Sequence, residues 1–580
     1  MIAVPPSSKT PRTPETDAPD LSHFRRRYPL TVTSLGALAE REAWLRRIWE
    51  LDAHWQESLE TKGGVSASAE VIVRGAPPAG MAVEGAFDIV YAGGVLGLLH
   101  AAVMATRYGR RVLVFDSHTV GETHRDWNIS DEELREFDHA GLFTKEEIEA
   151  AVVNRYRAGF VKFHDAASRV KAERLWINGV LDVAIAADKL LALAAAKIRA
   201  QGPPGCALVD KLNFVRAYVE PHRVTVETWD ARQKQRRLFE ARLFVDATGT
   251  NSPVSRQINE GRAITHVCPT VGTVARGFVR GTDAPDKVDF NVGEILVSTE
   301  DASEHRQLIW EGFAGSPQRD DYTTYLFFYD AVDSRADKSL LSLFERYFAS
   351  LPSYKRTGAQ WRVQKPVFGY IPSFHHHGWQ SRKRTSDDRV MLVGDAAGLS
   401  SPLTFCGFGS HVRNLRRLTH LTSLALDADL LDARALSEIN AYEPRVAQMA
   451  SLAEFLRPAQ KSPPSSVNET LNAVMAALHS LDERVRRQLF QDRMTFAALK
   501  SLLGHTARLY PRIFQRVREH LGARGTFWWL ANIGEAVLSE RRAATTLSPS
   551  HLDAAREESA ADKFARQLAL YKQEQSADGQ

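Results

Sequence analysis

Three glycine-bearing segments, spread over roughly 300 residues, could build one cofactor site. In the first, the apolar run Phe87-Asp-Ile-Val-Tyr91 leads into Ala92-Gly93-Gly94-Val95-Leu96-Gly97 and a helix-compatible stretch, Leu98 to Tyr108. A second apolar run, Arg111 to Phe115, ends in Asp116. Strand, tight turn, helix, strand and a following acid form a pattern with a clear chemistry. It lays a pyrophosphate on a helix N-terminus and a ribose hydroxyl on a carboxylate. Ala92 stands where the first glycine is usual, and Gly94 and Gly97 hold the other two places. In the second segment, Leu243-Phe-Val-Asp246 runs into Ala-Thr-Gly249, where small residues let the backbone approach a cofactor. In the third, Arg389-Val-Met-Leu-Val393 leads into Gly394-Asp395 and a helix from about Ser410. Such a turn sets a carboxylate on a ribityl hydroxyl and aims backbone N–H groups at an anionic ring or phosphate. Together the segments point to FAD, with Gly93, Gly94, Gly97, Asp116, Asp246, Gly249, Gly394 and Asp395 as its contacts.

These segments need a frame. From Phe87 to about Leu456, apolar strands alternate with helical stretches, the sign of an α/β fold. A chain of 580 residues suggests two to four domains. The expected division is a polar, disordered N-terminus with an amphipathic helix (about 34–60) and linker over 1–84. The first part of the FAD-binding domain follows at 85–265, a substrate-binding sheet domain at 266–385, the last part of the FAD-binding domain at 386–457 and a helical domain at 466–575. The helix near 34–60 carries Leu38, Leu45, Ile48, Trp49 and Trp55 on one face and reads as a packing helix. Phe87 to Thr106 is apolar, but it contains Asp88, His100 and a glycine cluster, so a buried strand–turn–helix explains it better than a membrane span. A net charge of +4 over this length, without a zinc-finger or RNA-binding signature, argues against nucleic-acid binding. Three distant cysteines predict a reducing compartment, taken as the cytoplasm, and no structural metal. The run His375-His-His377 points its rings in different directions and has no partner ligands nearby in sequence, so no metal is expected there.

The three cofactor segments resemble the FAD-binding domain of glutathione-reductase-like flavoproteins. Strand-like runs between Val274 and Tyr329 resemble the antiparallel substrate sheet of para-hydroxybenzoate-hydroxylase-like members. A narrower likeness covers roughly residues 85 to 457. Gly93-Gly-Val-Leu-Gly97, Arg125-Asp-Trp-Asn-Ile-Ser130, Trp310-Glu-Gly-Phe313, the run from Thr323 and Ser401-Pro-Leu-Thr-Phe-Cys-Gly-Phe-Gly409 resemble FAD-dependent lycopene cyclases of the CruA/CruP type. That resemblance implies further cofactor contacts at Arg125, Pro402, Gly407, Phe408 and Gly409. It also implies a redox-neutral isomerisation. The terminal double bond of a linear lycopene end is protonated, the cation closes a ring, and proton loss gives the β-ring. Reduced FAD is required and not consumed, with NAD(P)H as its reductant.

This chemistry demands a proton donor in an apolar cavity, because burial keeps a carboxylic acid protonated near neutral pH. Glu311, between Trp310 and Gly312-Phe313, is the first candidate, and Glu294 is the second. Trp310, Phe313, Tyr325, Phe368 and Tyr370 could steady a cation through their ring faces, although each alone also reads as core. Phe368-Gly-Tyr-Ile-Pro372 lacks both tryptophans of the halogenase Trp-x-Trp-x-Ile-Pro motif, which counts against halogenation.

Between Arg484 and Arg524 there are ten basic and two acidic residues, followed by Phe527-Trp-Trp-Leu530. A basic helical face with aromatics suits an anionic membrane surface, where a carotenoid substrate would reside. Peripheral membrane attachment is therefore expected. Two other functions remain open. One is a redox enzyme of the same fold, such as a prenyl-chain reductase, monooxygenase or halogenase. The other is a catalytically idle flavin-binding paralogue in carotenoid metabolism.

Overall fold

Apolar runs with no polar face make the central strands. Ile89, Val90, Tyr91 and Ala92 are all fully buried, as a parallel strand covered on both faces requires. A computed structural model describes residues 19–60, 70–374, 383–398, 407–439, 454–459, 462–545 and 559–577. In it, Val83–Ala92 lies parallel to Val112–Asp116 on one side and to Gln235–Asp246 on the other. The end of Gln235–Asp246 also pairs with Val390–Leu392. The carboxyl ends at Ala92, Asp246 and Leu392 thus lie side by side on the edge where α/β sheets bind ligands. An antiparallel meander, Leu212–Val219, Val224–Asp230 and Gln235–Asp246, extends this mixed sheet to nine strands. The helices Leu96–Thr106, Ala187–Gln201 and Gly407–Ala428 bury their apolar residues in one core with this sheet.

The second sheet has eight strands, built around the antiparallel set Thr357–Ser373, His266–Phe278, Tyr322–Phe327, Ile309–Ala314 and Val292–Val297. Its two faces differ. The helix Leu340–Tyr354 covers one of them: Trp310 stacks on Tyr354 at 4.6 Å, and the Thr273 and Thr324 hydroxyls hydrogen-bond the Tyr347 hydroxyl at 2.7 and 2.5 Å. Side chains alternate along strands, so the paired residues Glu311, Tyr325, Gly272 and Val367 fall on the opposite face. Phe313, Thr323, Val274 and Lys365 form the adjoining row on that face. This inner face looks toward the cofactor segments.

Two sheets interleave in sequence. Ala158–Lys162 and Leu175–Ile177, from inside 85–265, join the second sheet beside Val292–Val297. The C-terminal helices are divided as well. Ser466–His479, Glu483–Phe490 and Phe496–Leu509 share the core of the second sheet. Ala560–Ala577 returns to Gly407–Ala428, where Tyr571 meets His420 at 3.0 Å. Phe87 to Thr106 forms the buried strand–turn–helix expected of it. No helix among the described residues is long and apolar enough to cross a membrane.

The amphipathic helix runs from Arg41 to Glu60. It starts later than expected because two shorter helices, Leu21–Arg27 and Pro29–Ser34, precede it, and Pro29 suits a first helical position. Reciprocal capping docks this N-terminal region. Asp52 accepts hydrogen bonds from the Leu340 and Leu341 N–H groups at 2.7 and 3.1 Å, from the Ser339 hydroxyl and from Tyr370. Glu345 accepts from the Leu30 and Thr31 N–H groups, each at 2.9 Å. Each carboxylate satisfies orphan donors at the start of a helix. Asp52→Ala should therefore lower stability by about 2–3 kcal/mol, the cost of a lost cap plus buried unpaired donors, read as a fall in denaturant midpoint. An unchanged midpoint would mean the caps do not hold this docking.

Candidate functional site

The three glycine segments converge at the carboxyl edge of the first sheet. Gly93 has φ +111°, and a Cβ there would lie 2.2 Å from the Ala247 carbonyl oxygen. A Cβ on Gly97 would lie 2.8 Å from that of Ala247. One on Gly394 would lie 2.9 Å from Leu96 Cδ1. The glycines therefore allow neighbouring strand ends to abut, in addition to baring N–H groups for a ligand. Gly94 N–H donates to Asp116 Oδ2 at 2.7 Å, and His118 N–H donates to Oδ1 at 2.8 Å. Burial raises the Asp116 pKa, but the bonds from His118 and Gly94 outweigh it and hold the group below the usual carboxylate value. Asp116 is thus an anion that fixes the turn.

Asp246, an expected cofactor contact, is engaged within the chain. It is fully buried and accepts hydrogen bonds from Thr248 N–H, the Thr248 hydroxyl and the Ser252 hydroxyl at 2.8, 2.6 and 2.5 Å. It shapes the turn that carries Gly249. Gly249 has φ +89° and open space where a side chain would be.

The strings Arg125-Asp-Trp-Asn-Ile-Ser130 and Gly407-Phe-Gly409 meet. Trp127 stacks on Phe408 at 4.1 Å. A Cβ on Gly409 would lie 2.4 Å from Glu133 Oε2, the same carboxylate that Arg413 bonds. Arg125 lies between the sheets: its guanidinium is 3.6 Å from Asp395 and occupies the place a Cβ on Gly369 would need, 2.3 Å from Nη2. Asp126 clamps this segment to the inner face, accepting from Lys365 Nζ at 2.8 Å and the Thr323 hydroxyl at 3.1 Å. The Tyr325 hydroxyl donates to the Asp126 carbonyl at 3.0 Å. Pro402 and the rest of Ser401–Cys406 lie outside the described residues, as does His375–His377.

Charge collects around Asp395. Burial raises its pKa, against the pull of Arg125 and Lys383. Lys383, which the sequence reading passed over, donates to the Ala396 carbonyl at 3.3 Å. Burial lowers its pKa to about 7, with Asp395 opposing. Neighbouring His124 donates through Nε2 to the Phe368 carbonyl at 2.8 Å. It is held neutral by burial and by Arg47 and Arg125. Glycine turns, a cation-lined cleft and the acid at Asp116 fit a dinucleotide: Gly93–Gly97 and Asp116 could hold its adenosine and pyrophosphate half, and Asp395, Arg125 and Lys383 the other.

The two candidate acids fall on opposite faces of the second sheet. Glu294 pairs with Gly312 on the helix-covered side, and its carboxylate meets Lys355 Nζ at 2.5 Å in a buried ion pair. It points away from the cleft, with its charge neutralised. Glu311 lies on the inner face, partly open. Burial alone raises its pKa to about 8, with no cation or hydrogen bond opposing. Phe313 and Tyr325 share its face. Trp310 and Phe368 do not, and Tyr370 is engaged by Asp52 and stacked on Trp55 at 4.6 Å. The sign of the pH effect follows from the raised pKa. Between about pH 4.5 and 8 the folded protein keeps a proton that the unfolded chain has lost, so this carboxyl weakens folding as pH rises. Glu311→Gln should match the parent in thermal stability near pH 4 and gain on it steadily toward pH 8. A constant difference across that window would contradict the buried acid.

No family model and no curated protein matches the chain. Solved structures do. A variant of halogenase PltM in complex with FAD aligns over 85% of this chain and 96% of its own, at 15% identity and a TM-score of 0.50. Halogenase PltM in complex with phloroglucinol and FAD aligns over 78% and 96%, also at 15% identity and 0.50. A geranylgeranyl bacteriochlorophyll reductase-like protein from Thermoplasma acidophilum aligns over 75% and 99%, at 14% identity and 0.49. At such identities the likeness shows fold alone: the chain shares the mixed α/β fold of the two PltM complexes.

Proposed function

We propose that this chain is an FAD-dependent enzyme acting on an apolar substrate, held between the Gly394–Asp395 turn and the inner face of the second sheet. The carrying observation is Glu311, a carboxyl kept protonated by burial on the face that looks toward the cofactor segments. Bound there, FAD would supply two-electron redox chemistry or, when reduced, a negative charge beside the substrate. The protein's own part is binding, orientation and proton placement. Glu311 would hold a proton over the substrate, Phe313 and Tyr325 would present ring faces to positive charge, and Arg125 and Lys383 would balance the cofactor's anions.

The fold supports a redox reaction, such as reduction of a prenyl chain or oxygenation, as the first reading. In a reduction, the proton from Glu311 and a hydride equivalent would add across a carbon–carbon double bond. The second reading, cyclisation of lycopene ends, is favoured by the same acid and by the sequence resemblance. There the proton goes onto the terminal double bond, the ring closes, a neighbouring proton leaves, and no electrons are consumed. The absent tryptophans in Phe368–Pro372 remain a mark against halogenation.

Anaerobic incubation of the FAD-loaded protein with lycopene or a prenylated substrate and a measured amount of NADPH separates reduction from cyclisation, and the same incubation in air tests oxygenation. The redox reading expects NADPH consumed in step with product. The cyclase reading expects product of unchanged mass with NADPH needed only once per enzyme. Loss of activity by at least roughly 100-fold in Glu311→Gln, the scale of general acid catalysis, is expected in either case. Full activity in that variant would remove Glu311 as the donor.

Attachment to a membrane surface is the matching proposal for supply of such a substrate. Four of the seven exposed large apolar side chains among the described residues are Leu509, Phe514, Phe527 and Leu530. They lie in the segment that also exposes Arg508, Arg512, Arg518 and Arg524. Apolar anchors ringed by arginine suit an anionic bilayer. The protein should co-sediment with phosphatidylglycerol vesicles at low salt, and Phe514→Ser/Phe527→Ser should weaken this. No binding at low salt would contradict attachment.

A further inference from the structure

Two of the three cofactor segments fix the place of Lys383. Its neighbour Arg384 exchanges two hydrogen bonds with Asn259. The Arg384 N–H donates to Asn259 Oδ1 at 2.8 Å, and Asn259 Nδ2 donates to the Arg384 carbonyl at 3.0 Å. Asn259 ends the helix Pro253–Ile258, which follows the Gly249 turn. One residue further, the Thr385 carbonyl accepts from the Leu392 N–H at 2.9 Å, and Ser386 pairs with Met391. The backbone beside Lys383 is therefore held by the second segment and by the strand that ends in the Gly394–Asp395 turn.

The ammonium is thereby set against that turn. It donates to the Ala396 carbonyl at 3.3 Å. A Cβ on Gly398 would lie 2.6 Å from Nζ, so Gly398, at φ +59°, gives both the left-handed backbone and the room that the ammonium fills. Nζ also lies 6.0 Å from the Phe374 ring, just beyond the strand Thr357–Ser373 of the second sheet. An ammonium has three donors, and the Ala396 carbonyl is its only hydrogen-bond partner among the described residues. No carboxylate among them comes within ion-pair distance of it, and Asp395 on the same turn faces Arg125 at 3.6 Å. A desolvated cation is costly unless an anion completes it.

We propose that the Lys383 ammonium favours the reduced, anionic form of bound FAD over the oxidised form. This rests on the FAD reading above, in which the Gly394–Asp395 turn holds the ribityl chain and the pyrophosphate lies at the other turn, Gly93–Gly97. The anion that completes Lys383 is then the ring end of the cofactor, which gains negative charge on reduction, and a cation beside it stabilises that charge. Lysine suits a charge that comes and goes, because its amine can give up a proton and a guanidinium cannot. Burial lowers the Lys383 pKa to about 7, with Asp395 opposing. Negative charge added nearby raises it again. On reduction the ring accepts two electrons and one proton from the reductant and solvent, and the neutral amine takes a further proton from solvent.

The FAD-loaded full chain, reduced anaerobically with dithionite, tests this. At pH 6.5, Lys383→Met should lower the two-electron potential by the equivalent of a roughly 10- to 100-fold loss of preference for reduced FAD, about 30–60 mV. The gap between parent and variant should shrink as pH rises above about 7, where the amine beside oxidised FAD is neutral. At pH 7.5, an indicator dye should report more protons taken up per FAD reduced in the parent than in Lys383→Met. Arg384→Gln removes an exposed charge next door and should keep the parent's potential. Lys383→Gln gives the same readouts where the apolar variant does not fold. Equal potentials in the parent and the Lys383 variants, or an equal fall in Arg384→Gln, would overturn the role of Lys383 while FAD stays bound. A parent that binds no FAD would overturn the FAD reading with it.

Discussion

Arg125 is the pin on which the cleft depends. Its guanidinium fills the space above Gly369 on the second sheet and faces Asp395 on the first. The flanking residues extend this hold. His124 wraps the edge of Thr357–Ser373 through Phe368, Asp126 fastens to Lys365 and Thr323, and Trp127 stacks on Phe408 at the start of Gly407–Ala428. Within four consecutive residues the chain touches the second sheet and the Gly394 side of the first. The inner face with Glu311 and the turn with Asp395 are thereby set against each other.

Burial then does opposite things to opposite groups. It pushes the Glu311 carboxyl up to about 8 and brings the Lys383 amine down to about 7, so both approach neutrality near physiological pH. Arg125 cannot lose its charge in the same way. The site thus combines a permanent cation, Arg125, beside Asp395 with a neutral acid on the inner face of the second sheet. That division suits a cofactor with an anionic chain and a substrate with none. Glu294, which shares the sheet with Glu311, shows the contrast: Lys355 reaches it on the helix side, and its charge is spent on holding structure.

Much of the frame could be read in the sequence because its signals are local. The buried run at Ile89–Ala92, the glycines at 93 and 97, the acid at 116 and the Gly394–Asp395 turn each follow from neighbours a few positions away. The segments around Trp127 and around Phe408 touch through those very rings. What escaped the sequence depends on register and on distant partners. Strand alternation alone could not tell which face of Ile309–Ala314 would meet Leu340–Tyr354, so only the fold separates Glu311 and Glu294 onto opposite faces. The hydrogen bonds of Asp246 run to a turn that only the fold reveals. Lys383 carries no motif. The strand Ala158–Lys162 crosses to the second sheet through a pairing more than a hundred residues away in sequence, and Leu175–Ile177 pairs with it there.

The central claim is that the glycine turns and the inner face of the second sheet enclose one FAD. A crystal structure of the protein with FAD tests it most directly. The account predicts the pyrophosphate at Gly93–Gly97, the ribityl chain at Asp395, and the isoalloxazine ring facing the side of the sheet that carries Glu311 and Tyr325. A flavin ring bound on the helix-covered side, or away from the Gly394–Asp395 turn, would contradict it.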